Sequence, residues 1–410
     1  MLRSLPLLRS RVLLALAGWF VFAGCVGAQQ TSQPKLSGTY AVGRSLLYCI
    51  DARRTDPVAE DPTTKREFMV IAWYPAQRTA GARYAAWMPE PWASSETDLL
   101  YYHRRHSDAP LTREEAEHAI HDPVSQSVAN ARMARSGRRW PVLLFAPGAG
   151  VNTAFYSAFS EDLASRGYVV FGIEPTGWVG TTFPDGHKSP FSKKRSDETA
   201  WITGTAFPLW AADLRFMLDQ VSTWNGDRRS LLFRRLDLTR VGAFGHSFGG
   251  TASILAALDD ARIRAVVNLD GSPFDVLATR AFSKPLMVIK HDVAPQYAQL
   301  PPDEHGKAVQ ARVEEELSSL YLKGSPGVRV DIANAQHMTF SDMAFRSTWA
   351  DAGRRYGADD AADGAATVVV IRQYIGAFFD KFLLGRDSPV LSVAPAKRGI
   401  ASVRWTAEPQ

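Results

Sequence analysis

Arg240-Val241-Gly242-Ala243-Phe244-Gly245-His246-Ser247-Phe248-Gly249-Gly250-Thr251-Ala252-Ser253 decides how this chain folds. The apolar run ending at Phe244 predicts a buried strand and Ala252 through Leu258 predicts a helix, so Gly245-His246-Ser247-Phe248-Gly249 falls on the turn between them. A G-x-S-x-G in that setting lifts its serine, Ser247, to the carboxyl end of a sheet. Such a turn forces strained backbone angles on the serine, and glycines on either side keep side chains from colliding where strand and helix converge. A glycine-rich turn with an ordinary serine is the plain alternative.

Working outward, strand and helix patterns alternate from Pro141 onward, the signature of a mainly parallel sheet with helices on both faces. Strands are predicted at 141–146, 168–174, 240–245, 264–269, 283–290 and 327–333, and helices near 154–166, 199–224, 248–259, 306–322 and 365–384. Upstream, Ala41 to Asp51 and Glu67 to Tyr74 read as two strands forming an antiparallel edge, the second stopped by Pro75. Residues 80–138 carry no strong sheet pattern, and with Trp87, Trp92, Tyr101 and Tyr102 they are expected to cover the mouth of a site. Within them Thr112-Arg113-Glu114-Glu115 is a capping box opening a helix through His121. Glu117, His118, His121 and Asp122 invite a metal reading, but the rest of a zinc constellation is missing and a solvated helix face is expected. Residues 177–198, rich in Gly, Pro, Lys and aromatics, read as a second lid piece.

At 410 residues, 46% hydrophobic and 22% charged, the chain has room for one large α/β domain or two smaller ones. A formal charge of +5, with basic residues scattered among acidic ones, argues against a nucleic-acid partner. Residues 1–28 form a targeting segment: Arg3, Arg9 and Arg11 precede an apolar stretch from Val12 to Gly24 too short to span a bilayer comfortably. An exported protein is therefore expected. Phe22-Ala23-Gly24-Cys25 resembles a lipobox, which would place a lipid tether on Cys25, whereas Val26-Gly27-Ala28 suits ordinary signal cleavage before Gln29. Either way Cys49 is left without a partner and no disulfide framework is expected. Residues 29–37 read as a linker and 396–410 as a tail.

A serine nucleophile requires a base, a group to orient it, and donors for the oxyanion. In this chain order the base comes last, and His337 is the only histidine just past the strand at 327–333. His246 adjoins Ser247, but neighbours on a sharp turn point different ways. Two aspartates end strands between Ser247 and His337, namely Asp270 and Asp292, and motif logic leaves both open. The oxyanion donors are expected to be the backbone N–H of Phe248, at a helix start, and that of Ala149 in Pro147-Gly148-Ala149-Gly150.

Several motifs together resemble those of the plasma and type II intracellular platelet-activating-factor acetylhydrolases, serine lipases of the α/β-hydrolase superfamily. They are Tyr40-Ala41-Val42-Gly43, Trp73-Tyr74-Pro75, Phe145-Ala146-Pro147-Gly148-Ala149-Gly150, Gly245 to Gly250, Leu269-Asp270, and Gln336-His337 with Phe340 and Asp342. The resemblance implies an α/β-hydrolase fold with Ser247, Asp270 and His337 as triad, and it favours Asp270 over Asp292. Pro147 stands where that family usually has histidine, which bears on substrate preference. The expected protein is one catalytic domain over 38–395, needing no metal or organic cofactor and acting on short-acyl esters or phospholipids. A polyester or dienelactone-type hydrolase, and a catalytically silent hydrolase fold serving the envelope, are the rival readings.

Overall fold

The computed structural model describes residues 33–106, 110–189, 191–194, 198–271, 280, 282–291, 326–333, 335–346, 364–392 and 402–405. The helix expected at 306–322, Asp292 and the targeting segment lie outside the described residues. The chain opens with β1 (Ala41–Thr55) and β2 (Lys65–Ala76), followed by β3 (Tyr84–Ala86), α1 (Glu90–Arg104), α2 (Arg113–His121) and β4 (Val124–Ala129). Strand and helix then alternate through β5 (Trp140–Ala146), α3 (Ser157–Ser165) and β6 (Val169–Ile173). A small hairpin, β7 (Thr181–Thr182) and β8 (Lys188–Ser189), leads to α4 (Thr199–Trp201) and α5 (Phe207–Gly226). Next come β9 (Leu236–His246), α6 (Phe248–Asp259), β10 (Ile263–Leu269), β11 (Leu286–His291) and β12 (Gly327–Ile332). The described chain ends with α7 (Gly364–Leu384), α8 (Pro389–Ser392) and β13 (Ser402–Trp405).

Among the described residues eleven strands form one sheet in the order β13-β12-β11-β10-β9-β5-β6-β2-β1-β4-β3. Strands β6, β5, β9, β10, β11 and β12 are mutually parallel, as the alternation predicts. The fold is that of an α/β-hydrolase. Strand β2 is antiparallel to both β1 and β6 as expected, but the pair is not the edge, because β4 pairs parallel to β1 and β3 closes the sheet beyond it. Residues 80–138 thus supply two strands as well as two helices. Their sheet pattern is invisible in the sequence because a three-residue strand has no measurable period. The expected tail likewise contains β13, antiparallel to β12. The expected linker is packed from Gln33 on: Ser37 bonds Asp162 through backbone and hydroxyl, and Pro34 O accepts from Arg372 Nη1 at 2.9 Å. Isolated polar contacts of this kind leave no periodic trace.

Alternation along each strand sends side chains into two cores. In β5, Leu143 and Phe145 join α3 and α7 on one face, while Val142, Leu144 and Ala146 join α5 and α6 on the other. Each fully buried aliphatic or aromatic side chain is worth roughly 1.5–3 kcal/mol, so this two-sided burial holds the strand ends rigidly. The predicted helix at 199–224 is interrupted by a π turn, Ile202–Ala206, before α5. Pro208 has no N–H to offer the carbonyl of Gly204 one turn back, so regular α-helix cannot run through. On α2 the capping box is present, with Glu115 N–H on Thr112 Oγ1 at 3.2 Å. His118 beside it pairs with Asp122 at an exposed surface.

Candidate active site

Strand register brings the candidate residues to one place. His246 lies opposite Leu269, and Leu269 opposite Ile289, so the residues following β9 and β10 emerge side by side with the end of β11. Two backbone bonds tie these ends together, Ser247 N–H to Leu269 O at 2.8 Å and Asp270 N–H to Ile289 O at 2.7 Å. Ser247 sits at φ 51° and ψ −119°, outside the region natural to a serine. The glycines around it are obligatory: a Cβ on Gly245 would lie 2.3 Å from Gly249 O, and one on Gly249 would lie 2.1 Å from Ala146 O.

Ser247 Oγ is 2.9 Å from His337 Nε2, and His337 Nδ1 is 2.6 Å from Asp270 Oδ2. With Asp270 accepting at Nδ1–H, Nε2 is left free to take the hydroxyl proton. Burial alone would raise the Asp270 carboxyl, but hydrogen bonds from His291 and His337, with Lys290 nearby, hold it well below the usual carboxylate range. The carboxylate therefore stays ionised in a buried position, while the His337 side chain is 41% exposed and reachable from solvent.

His337 opens a 3-10 turn, His337–Phe340, whose entry is fixed by Gln336 N–H donating to Thr339 Oγ1. The turn is anchored from below by buried Asp342, which accepts from Trp87 Nε1 at 2.9 Å and from Ala158 N–H at 3.0 Å. Burial lifts the Asp342 carboxyl to about 7 despite Arg346, whose guanidinium lies over the Trp87 ring. Trp87 and Trp92 are fully buried in the core, so of the four aromatics expected at the mouth only Tyr102 is largely exposed and Tyr101 partly so.

The loop carrying Ala149 passes over the serine turn, since a Cβ on Gly249 would meet Pro147 O at 2.3 Å. Gly148 N–H donates to Tyr156 Oη at 3.0 Å, and Tyr156 Oη lies 2.9 Å from His246 Nδ1. Tyr156 thus accepts from the loop and shares a second hydrogen bond with His246. Burial, aided by the nearby His337, drops His246 to about 3, so it is a neutral strut for this loop. Farther along, Asn152 Nδ2 and Thr153 N–H both donate to Glu174, whose carboxyl burial pushes up to about 8. The Phe248 N–H, at the first turn of α6, has no acceptor one turn back within its own helix.

Three residues at this site escaped sequence reasoning: Tyr156, His246 as strut, and His291, whose Nδ1 lies 2.8 Å from Asp270 Oδ2. A histidine ending the strand beside the acid was the only available signal. His246, Asp270 and His337 also bring one potential ligand atom each within 4.8 Å of one another. The Asp270 and His337 atoms are paired at hydrogen-bond distance, while His246 turns Nδ1 to Tyr156 and leaves Nε2 buried without a hydrogen-bond partner. Cys49 is buried and free, and burial pushes its thiol up to about 12. Among the described residues no helix is long and apolar enough to cross a membrane.

Comparison with known proteins divides the chain. Residues 25–179 match the family model of platelet-activating factor acetylhydrolase, isoform II, and residues 210–369 match that of PET hydrolase-like proteins. Ala149 lies in the first part, and Ser247, Asp270 and His337 in the second. A probable 1-alkyl-2-acetylglycerophosphocholine esterase of Arthroderma benhamiae is 28% identical over 32% of this chain and 31% of its own. The platelet-activating factor acetylhydrolase of Canis lupus familiaris is 23% identical over 64% of this chain and 61% of its own. The chain thus spans between about a third and three fifths of the length of these curated relatives. A solved ferulic acid esterase from Streptomyces cinnamoneus is 26% identical, covering 90% of this chain and 98% of its own with a TM-score of 0.68.

Proposed function

We propose that this α/β-hydrolase, similar along its two halves to platelet-activating factor acetylhydrolase and PET hydrolase-like proteins, is a serine carboxylic-ester hydrolase. The observation that carries the reading is the continuous chain of hydrogen bonds from Ser247 through His337 to a buried, ionised Asp270. Ser247 Oγ bonds to the ester carbonyl carbon as its proton passes to His337 Nε2. The Phe248 and Ala149 amides receive the developing oxyanion, a contribution of about 3 kcal/mol for each such donor. His337 then returns the proton to the leaving alcohol oxygen as the C–O bond breaks, and water repeats the sequence to release the acid.

Short-acyl esters or phospholipids are the proposed substrates, on the likeness of residues 25–179 to the acetylhydrolase model. A second reading, hydrolysis of aromatic or polyester esters, is favoured by the PET hydrolase-like match around Ser247 and by the ferulic acid esterase neighbour. A panel of p-nitrophenyl esters from short to long chains, short-acyl phospholipids, a feruloyl ester and polyester film separates them. A rate falling with acyl length and high on phospholipid supports the first; turnover confined to the aromatic substrates supports the second; absence of fluorophosphonate labelling would overturn both.

Export, with a lipid on Cys25, is proposed from the arginines and apolar stretch of residues 3–24 and from Phe22-Ala23-Gly24-Cys25. Cys25→Ser should accumulate the precursor, whereas normal processing of that variant would point to cleavage before Gln29.

A further inference from the structure

The Asp270 carboxylate is shared by two imidazoles. Besides His337, it faces His291 Nδ1, 2.9 Å from Oδ1 and 2.8 Å from Oδ2, and the His291 backbone N–H lies 3.4 Å from Oδ1. Asp270 stands at φ 54°, a left-handed position held by its own N–H on Ile289 O and by Asn268 Oδ1 accepting from Gly271 N–H at 2.8 Å. The backbone therefore presents the carboxyl at a fixed point, but rotation about the side-chain bonds still has to be stopped. His291 is the last residue of β11, the strand next to Asp270, and its side chain is 17% exposed against 1% for the carboxylate it covers.

We propose that His291 is a positioning residue for this site: it holds the Asp270 carboxylate with Oδ2 toward His337 and takes a share of the same negative charge. This rests on the triad reading above. An ionised carboxylate has about four lone-pair sites, so both rings can be accommodated, but each added donor spreads its charge and leaves less to stabilise the His337 imidazolium. The other groups acting on the cluster are Lys290 on β11, His246 at the end of β9, and Arg329 and Asp331 on β12, which face Lys290. Loss of the His291 donor therefore makes Asp270 a stronger partner for His337, and His337 becomes harder to deprotonate.

The test compares the wild type with His291→Ala and His291→Asn, whose amide nitrogen stands near the place of Nδ1. Histidine-labelled NMR titration follows His337 whatever the reaction proves to be, and steady-state kinetics on a p-nitrophenyl ester give kcat and KM across pH. In His291→Ala the His337 titration and the acid limb of the rate profile should both move to higher pH. Plateau kcat should fall about 10- to 100-fold with little change in KM, well short of the ~10⁴-fold of losing a triad carboxylate. His291→Asn should recover most of both. An unmoved His337 titration in His291→Ala would overturn the proposal, as would an Asn variant no better than Ala with an equally lowered Tm, the mark of a merely structural role. Fluorophosphonate labelling of Ser247 in the wild type, scored separately, tests the triad reading itself.

Discussion

Ser247 holds angles that a serine accepts only when its surroundings impose them, and here they come from the bond of its N–H to Leu269 O and from glycine backbones packed against it. Its Oγ is thereby aimed at His337 rather than at its sequence neighbour His246, which is turned inward to Tyr156. If Ser247 is the nucleophile, Ser247→Ala should abolish fluorophosphonate labelling and lower kcat on the scale of ~10⁶. A variant that still labels would remove it from that role. For the acid, Asp270→Asn presents an amide to His337 and can favour the wrong tautomer, so kcat should fall by about 10⁴ with folding unchanged by circular dichroism. Asp292→Asn, assayed alongside, should stay near wild type; the reverse outcome would transfer the role to Asp292. Motif logic left these two aspartates equal because both end strands. The structure hydrogen-bonds Asp270 to a histidine 67 residues away, and Asp292 lies outside the described residues.

At the level of elements, the turn carrying His337 depends on a contact no local pattern announces. Trp87, between β3 and α1, donates its indole N–H to Asp342, five residues after His337. A buried carboxyl that loses one of its donors costs about 1–3 kcal/mol. Trp87→Phe, which removes the N–H together with part of the indole, should therefore lower stability in urea by at least that amount and reduce kcat more than it changes KM. Unchanged stability and kcat would show that the bond does not hold the histidine turn. The parallel strands and flanking helices were readable because each is long enough to show its period. Strands β3, β4 and β13 were not, since a run of three to six residues at a sheet edge is defined by its partner, not by its own alternation.

Across the whole molecule, burial near the carboxyl end of the sheet raises three carboxyls: Glu96 to about 7, Glu174 to about 8 and Asp342 to about 7. Glu96 is 5% exposed, and burial is the cause of its shift. Because the folded state keeps protons that the unfolded chain releases near pH 4.5, stability should decline as pH rises from there through about 7–8 and then level off. Glu96 alone accounts for at most about 3 kcal/mol of that decline. Glu96→Gln should accordingly raise Tm at pH 8.5 while leaving it near wild type at pH 5; an equal pH dependence in both proteins would contradict the assignment. The sequence by itself determined the alternating strand–helix plan, the strained serine turn, and a late histidine to face it, since each is a pattern of neighbouring residues governed by local backbone geometry. Only the tertiary structure shows that Asp270 meets that histidine, that His291 shares it, that Tyr156 and His246 brace the Ala149 loop, and that the sheet continues through β3, β4 and β13. Those outcomes depend on strand register, which is set by two-sided core packing between segments as much as 90 residues apart and so has no signature in any one of them.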